Sequence, residues 1–215
     1  MSGCQTSAFG WGHPDVACTH KAIQEIYQDV DDPKLISEAL LALMSAHNVR
    51  AEYDQSLRLG SELSRLGESV DNPAISYMPE GPLGLLSYVR GDFAKAKEHF
   101  DRAKDGYDPD QHLPLTRLTG YDLRAFASAL SSLFLWLMGS PDQAIATAES
   151  GVEAAESAQH FDSIVIALCM QSWVLLMRRE FSDAAQSAEA AVAITLRQKL
   201  RFLEGWARTM RGLAD

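Results

Sequence analysis

Basic charge, cysteine and long apolar runs are all scarce in this sequence, and each scarcity excludes something. Only 19 lysines and arginines stand against 29 acidic residues, for a net charge of −10. A phosphate backbone would be repelled over most of such a surface, so no direct nucleic-acid partner is expected. The three cysteines, Cys4, Cys18 and Cys169, are odd in number and form no C-x-x-C pair. That pattern suits a reducing compartment better than a disulfide scaffold, and a cytoplasmic location is expected. The longest apolar stretch, Ile164 to Met177, is interrupted by Gln171 and Ser172. It falls short of the ~20 residues that cross a bilayer and reads as a buried helix, so no membrane partner is expected. The opening MSGCQTSAFG has neither the basic start nor the apolar run of a secretory signal.

Recognisable chemistry is missing as well. The sequence contains no G-x-x-x-x-G-K-[ST] phosphate loop, G-x-G-x-x-G, G-x-S-x-G elbow or H-E-x-x-H. Its histidines, at 13, 20, 47, 99, 112 and 160, are dispersed. Cys18 and His20, two apart on a helix, point in different directions and do not share a metal. Asp101, Asp105, Asp108 and Asp110 lack the ordered spacing of a calcium loop and read as a solvated acidic turn. No catalytic residue, metal or cofactor is expected, and the protein reads as non-enzymatic.

What the sequence does contain is a recurring phrase. In GDFAKAKEHF, residues 91–100, Phe93, Ala96, Phe100 and, just beyond, Ala103 fall three and four residues apart, on one face of a helix. Gly91 is placed to end a preceding helix in a left-handed conformation, and Asp92 to cap the next. In GSPDQAIATAESGVEAA, from Gly139, the same frame holds Ala144, Ala148 and Gly151, with Ser140 as N-cap, Pro141 in the first helical position and Gln143 completing a capping box. REFSDAAQSAEAAVAI repeats it with Phe181, Ala184, Ala188 and Ala191, and Ser182 as the expected cap. Upstream, Tyr53, Ser56, Gly60 and Leu63 keep the frame, as do Val16, His20 and Ile23. The anchors Val16, Ser56, Ala96, Ala144 and Ala184 are spaced 40, 40, 48 and 40. Each of the last four follows a more apolar helix: PKLISEALLALMSAHNV, ISYMPEGPLGLLSYV, LRAFASALSSLFLWLM and SIVIALCMQSWVLLM. The unit is a helical hairpin. The fold expected is all-α, an α-solenoid of antiparallel hairpins with about ten helices, forming a single repeat domain over 1–215.

The 48-residue step arises from KDGYDPDQHLPLTRLTGYD, which adds eight residues rich in turn formers. It reads either as a contact for a neighbouring domain or as a spacer that adjusts superhelical pitch. Pro14 to Asp29 reads as a second-of-pair helix without a first, and RFLEGWARTMRGLAD as a first without a second. The expectation is a fragment of a longer array; the alternative makes both odd helices caps of a complete small protein.

Gly84, Gly91, Phe93, Ala96, Phe100 and Ala103 resemble the tetratricopeptide repeat over nearly the whole chain, in a 40-residue rather than 34-residue unit. YDPDQH at 107–112, GSPDQA at 139–144 and TMRGLA at 209–214 look like the repeat region of large bacterial signal-transduction regulators. The resemblance implies a right-handed superhelix and a covalently linked NTPase with a cyclase, kinase or DNA-binding output. It also implies a concave face lined by the first helices, which directs Asn48, Tyr88, Phe126, Trp136, Trp173 and Trp206 to a groove for a protein, peptide or small effector. The competing reading of these aromatics is packing between hairpins. The function expected is a sensor or interaction module; the alternative is a structural scaffold acting through self-association, with a homodimer as its product.

Overall fold

Alanine, serine or glycine at a helix crossing lets two backbones approach to the ~8–10 Å of ordinary helix packing, and the recurring small residues are where this fold closes. The computed structural model of the protein describes residues 14–215, and the described residues form an all-α structure. The α-helices are α1 (Pro14–Ile26), α2 (Pro33–Val49), α3 (Tyr53–Ser69), α4 (Pro73–Tyr77), α5 (Glu80–Val89), α6 (Phe93–Asp105), α7 (Pro109–His112), α8 (Thr116–Thr119), α9 (Leu123–Leu137), α10 (Pro141–Ser157), α11 (Phe161–Met177), α12 (Phe181–Gln198) and α13 (Arg201–Ala214). Ten of them run ten residues or longer, in line with the number expected. Among the described residues, no helix is long and apolar enough to cross a membrane.

The chain divides into two compact units, residues 1–123 and 124–215. In the first, α2 packs on α3 and α5 on α6, and α2 also meets α5 directly. In the second, α11 packs on α10 and α12, and α13 lies against both α12 and α11. Each unit is built of hairpins whose first helices also touch one another.

The repeat frame is the buried frame. Ser56, Ala96, Ala144 and Ala184 are all fully buried; the side chain of the fifth anchor, Val16, lies outside the described residues. Leu63, Phe100, Ala103, Ala148, Ala188 and Ala191, which complete the phrases, are buried too, whereas Phe181, expected in the same frame at the head of its helix, is exposed. Close crossings lie beside two glycines; at Gly84 a β-carbon would stand 2.6 Å from the Phe100 ring. At Gly67 it would meet the backbone of Ser76.

The turns recur with the same step. Ala51, Gly91, Gly139 and Arg179, each inside a hairpin, have φ of 58°, 77°, 78° and 64°. Asp71, Gln159 and Lys199, between hairpins, are left-handed as well. Around each in-hairpin turn the bonds are those of a Schellman motif. Glu52, Asp92, Ser140 and Glu180 donate to the carbonyls of His47, Ser87, Leu135 and Leu175, and the turn residue before each donates to Asn48, Tyr88, Trp136 or Leu176.

Three local expectations are corrected. The segment ISYMPEGPLGLLSYV is broken at Met78–Pro79 into α4 and α5, because Pro79 has no N–H and its ring displaces the carbonyl four residues back. Ser140 is the N-cap residue of α10, but its side chain makes no capping bond. The cap of α12 is Glu180, and Ser182 lies inside the helix. Asp92 behaves as the sequence indicates, accepting from the Lys95 amide at 3.3 Å.

The eight-residue insertion is an ordered wall rather than an open loop. Pro109–His112, a 3-10 turn at Leu113–Leu115 and Thr116–Thr119 fold back on their own unit, where α8 packs against α2. His112 is its buried pin. One ring nitrogen accepts from the Asp108 amide at 2.8 Å, the other lies 3.2 Å from the Ala74 carbonyl, and the ring sits 4.1 Å from that of Tyr77. Tyr77 donates to the Ala103 carbonyl at 2.7 Å, Tyr107 to Asp122, and the Tyr121 hydroxyl lies 3.1 Å from Ser45 Oγ.

Candidate functional site

A first helix that packs on its neighbours through one side leaves the residues at i, i+4 and i+7 of the other side as a stripe. In the unit of residues 124–215 that stripe is apolar and in register. Phe126, Ile166 and Trp206 stand forty residues apart on α9, α11 and α13, and all three are half-buried. Trp173 extends it along α11 and Leu213 along α13, with the buried Met170 and Met210 beneath them. Ile166 and Trp206 lie against the core formed by Val165, Cys169, Ala207 and Met210. Trp173 is 43% exposed and Leu213 59% exposed. A tryptophan whose rim is open while its neighbours are anchored in a core is the arrangement that lets an aromatic act as a docking anchor.

The other sequence-predicted groove residues stand in a different register. Asn48, Tyr88 and Trp136 occupy one repeat position, the last residue but one of the first helix, where their carbonyls accept the left-handed turn residue. Tyr88 packs there on Phe93, ring centres 6.3 Å apart, and burial raises its hydroxyl pKa. Asn48 is buried, and neither its side-chain oxygen nor its nitrogen has a hydrogen-bond partner among the described residues. Trp136 is half-buried three residues beyond Leu133, the position equivalent to Trp173. Asn48 and Tyr88 belong to the first unit, and Phe126, Trp136, Trp173 and Trp206 to the second.

The first unit carries a cleft that the sequence reading passed over. The register of Phe126 and Trp206 falls on Met78 and Glu38, and these two residues line a cleft of ≈540 Å3 between α2, α4 and the insertion. Its apolar side is Ile75, Met78 and Leu115, all buried. Its charged rim is Lys34, Glu38, Asp110 and Arg117. A signal for it existed, since stepping Phe126 back by 48 and then 40 lands on both residues. The aromatic criterion hid them, because neither is aromatic.

Two of the buried groups are held out of reactivity. Burial pushes the Cys169 thiol and the Tyr121 hydroxyl up to about 12, so neither is a nucleophile at neutral pH. Cys18 and Cys169 are free thiols, the first exposed and the second buried. No family model matches the chain, and no curated protein matches it.

Proposed function

We propose that the protein is a non-catalytic, tetratricopeptide-like sensor or interaction module of a bacterial signalling or transcriptional regulator. In this reading the stripe on α9, α11 and α13 receives an apolar segment of a partner. The observation that carries the reading is the recurrence of Phe126, Ile166 and Trp206 at one repeat position beside the half-open Trp173. Anchors spaced along neighbouring helices suit an amphipathic helix, which presents its own i, i+4 and i+7 side chains to such a surface. The resemblance to the repeat regions of large regulators supplies the context: an attached NTPase and output domain respond to occupancy. Binding shifts that output only through different affinities for two states of the module.

The experiment is selection of a displayed peptide library on the intact chain, followed by titration of selected peptides against Trp173→Ala. Apolar, helix-periodic peptides that lose tenfold or more in affinity on the variant support the reading. Peptides indifferent to Trp173 remove this face from it.

A second reading is favoured by α13 itself, where Phe202 and Leu213 are 48% and 59% exposed. A face of that kind suits self-association, the scaffold alternative. Light scattering over a hundredfold dilution separates the two, since only the scaffold has a mass that falls on dilution.

A further inference from the structure

We propose that the cleft between α2, α4 and the insertion binds a short zwitterionic peptide, held by both its termini and by an apolar side chain. The site lies within residues 1–123 and is independent of the stripe on α9, α11 and α13.

Size comes first. A cleft of ≈540 Å3 lies inside the ~300–1,000 Å3 typical of small-ligand sites and below what a folded partner needs. Its chemistry is split in two. Ile75, Met78 and Leu115 provide a buried apolar side, and the rim holds two cations and two carboxylates.

Those charges are unspent. The Lys34 ammonium and the carboxylates of Glu38 and Asp110 make no hydrogen bond or ion pair with any described residue. Arg117 uses only Nε, on the Pro114 carbonyl at 3.2 Å, and its terminal nitrogens remain. Lys34 and Glu38 are one helical turn apart and still unpaired, whereas Lys97–Asp101 and Arg208–Glu204, at the same spacing, are ion pairs. The four formal charges cancel at one cleft of a protein whose net charge is −10.

A balanced rim of this kind selects its ligand. A polyanion such as a nucleotide meets Glu38 and Asp110, and a purely apolar molecule desolvates four charges without replacing their water. A peptide with a free carboxylate and a free ammonium gives each sign its counterpart, and an apolar side chain covers Met78 and Leu115. The wall is preformed. His112 fixes the insertion to the Ala74 carbonyl, and Asn72 caps α4 by accepting from the amides of Ala74 and Ile75. Little ordering is then left for the ligand to drive.

The test is calorimetric titration of the intact chain with leucyl-leucine and leucyl-phenylalanine, each as the free dipeptide, the N-acetyl form and the C-terminal amide. Free dipeptides are expected to bind, with about tenfold loss for each capped form, the effect of about one charge-assisted contact. Glu38→Gln is expected to abolish the discrimination against the N-acetyl form, and Lys34→Gln that against the amide. Both side chains lack partners among the described residues, and their replacement is expected to leave the circular-dichroism melt unchanged. Trp173→Ala is expected to leave all of these titrations unaltered, so failure here and failure of the peptide-display experiment are separate results. Equal affinity for free and capped forms, no heat at millimolar dipeptide, or tighter binding of ATP than of any dipeptide would overturn the proposal.

Discussion

Ser172 Oγ donates to the carbonyl of Ala184 at 2.9 Å, joining the two helices of the last complete hairpin where both residues are fully buried. Three repeats earlier the same two positions are Met44 and Ser56, and there the hydroxyl sits on the opposite helix, with Ser56 Oγ donating to the Met44 carbonyl at 3.1 Å. One crossing is thus closed by the same bond in two directions. Ser172→Ala is expected to cost about 1 kcal/mol, the net value of one buried hydrogen bond. Ala184→Leu is expected to cost ~1–3 kcal/mol by overpacking. Urea unfolding of both variants checks the order, and an Ala184→Leu protein as stable as wild type would misplace the crossing.

Glycine has two separate roles 7 residues apart, at Gly84 and Gly91. A β-carbon at Gly84 meets a fully buried phenylalanine ring that has nowhere to go, whereas at Gly91 it meets nothing within 4 Å and only the φ of 77° is strained. Gly84→Ala is expected to lose ~2–3 kcal/mol by overpacking, and Gly91→Ala about 1 kcal/mol. The converse substitutions Ala51→Gly and Arg179→Gly relieve left-handed strain and are expected to raise the melting temperature by a few degrees. Thermal scans of the four variants rank these effects, and equal losses for Gly84→Ala and Gly91→Ala would deny the collision.

Trp173 and Ala144 are predicted to separate binding from stability. Trp173→Ala removes a side chain that is 43% exposed and is expected to cost under ~1 kcal/mol, while Ala144→Leu, at a fully buried position, costs ~1–3 kcal/mol. If chemical denaturation instead shows Trp173→Ala losing several kcal/mol, the tryptophan is core and not an open anchor.

Acid is predicted to loosen the first unit before it protonates carboxylates. Burial holds the His112 imidazole below its usual range against the opposing pull of the Ala74 bond and the Asp108 and Asp122 charges; burial, with Arg50 and His47, pushes His20 down to about 4. Both groups are harder to protonate folded than unfolded. Their contribution is complete above the ordinary histidine pKa of ~6.5 and declines as pH falls from there towards 4. The urea midpoint is expected to drop between pH 7 and pH 5, and to drop less in His112→Gln, whose stability at pH 7 is already lower. Parallel pH profiles for variant and wild type would remove His112 from this effect.

The ion pairs tell a related story. Arg90 pairs with Asp54 across neighbouring hairpins, and two repeats later Arg178 pairs with Asp142 at 3.0 Å. Such exposed pairs are worth ~0–1 kcal/mol, so their recurrence marks the repeat more than it stabilises it. They were legible only after the frame was known. The frame itself was legible at once, because only small side chains fit where Ser56, Ala96, Ala144 and Ala184 cross the facing helix. Ser182 was misplaced because a cap depends on where the first helical turn begins, and that is set by the Schellman turn before it.

By itself the sequence determined the helices, their pairing into hairpins and the step between them, since periodic burial and left-handed turns are local requirements that each residue meets or fails. Tertiary structure alone decided that an insertion written in turn formers would fold back on α2 and stand as a wall, because its buried His112 finds its partners 38 and 35 positions back in the chain, at Ala74 and Tyr77. It also decided which charges pair. Lys34 and Glu38 have the spacing of an ion pair, yet both line the cleft between α2, α4 and the insertion without pairing.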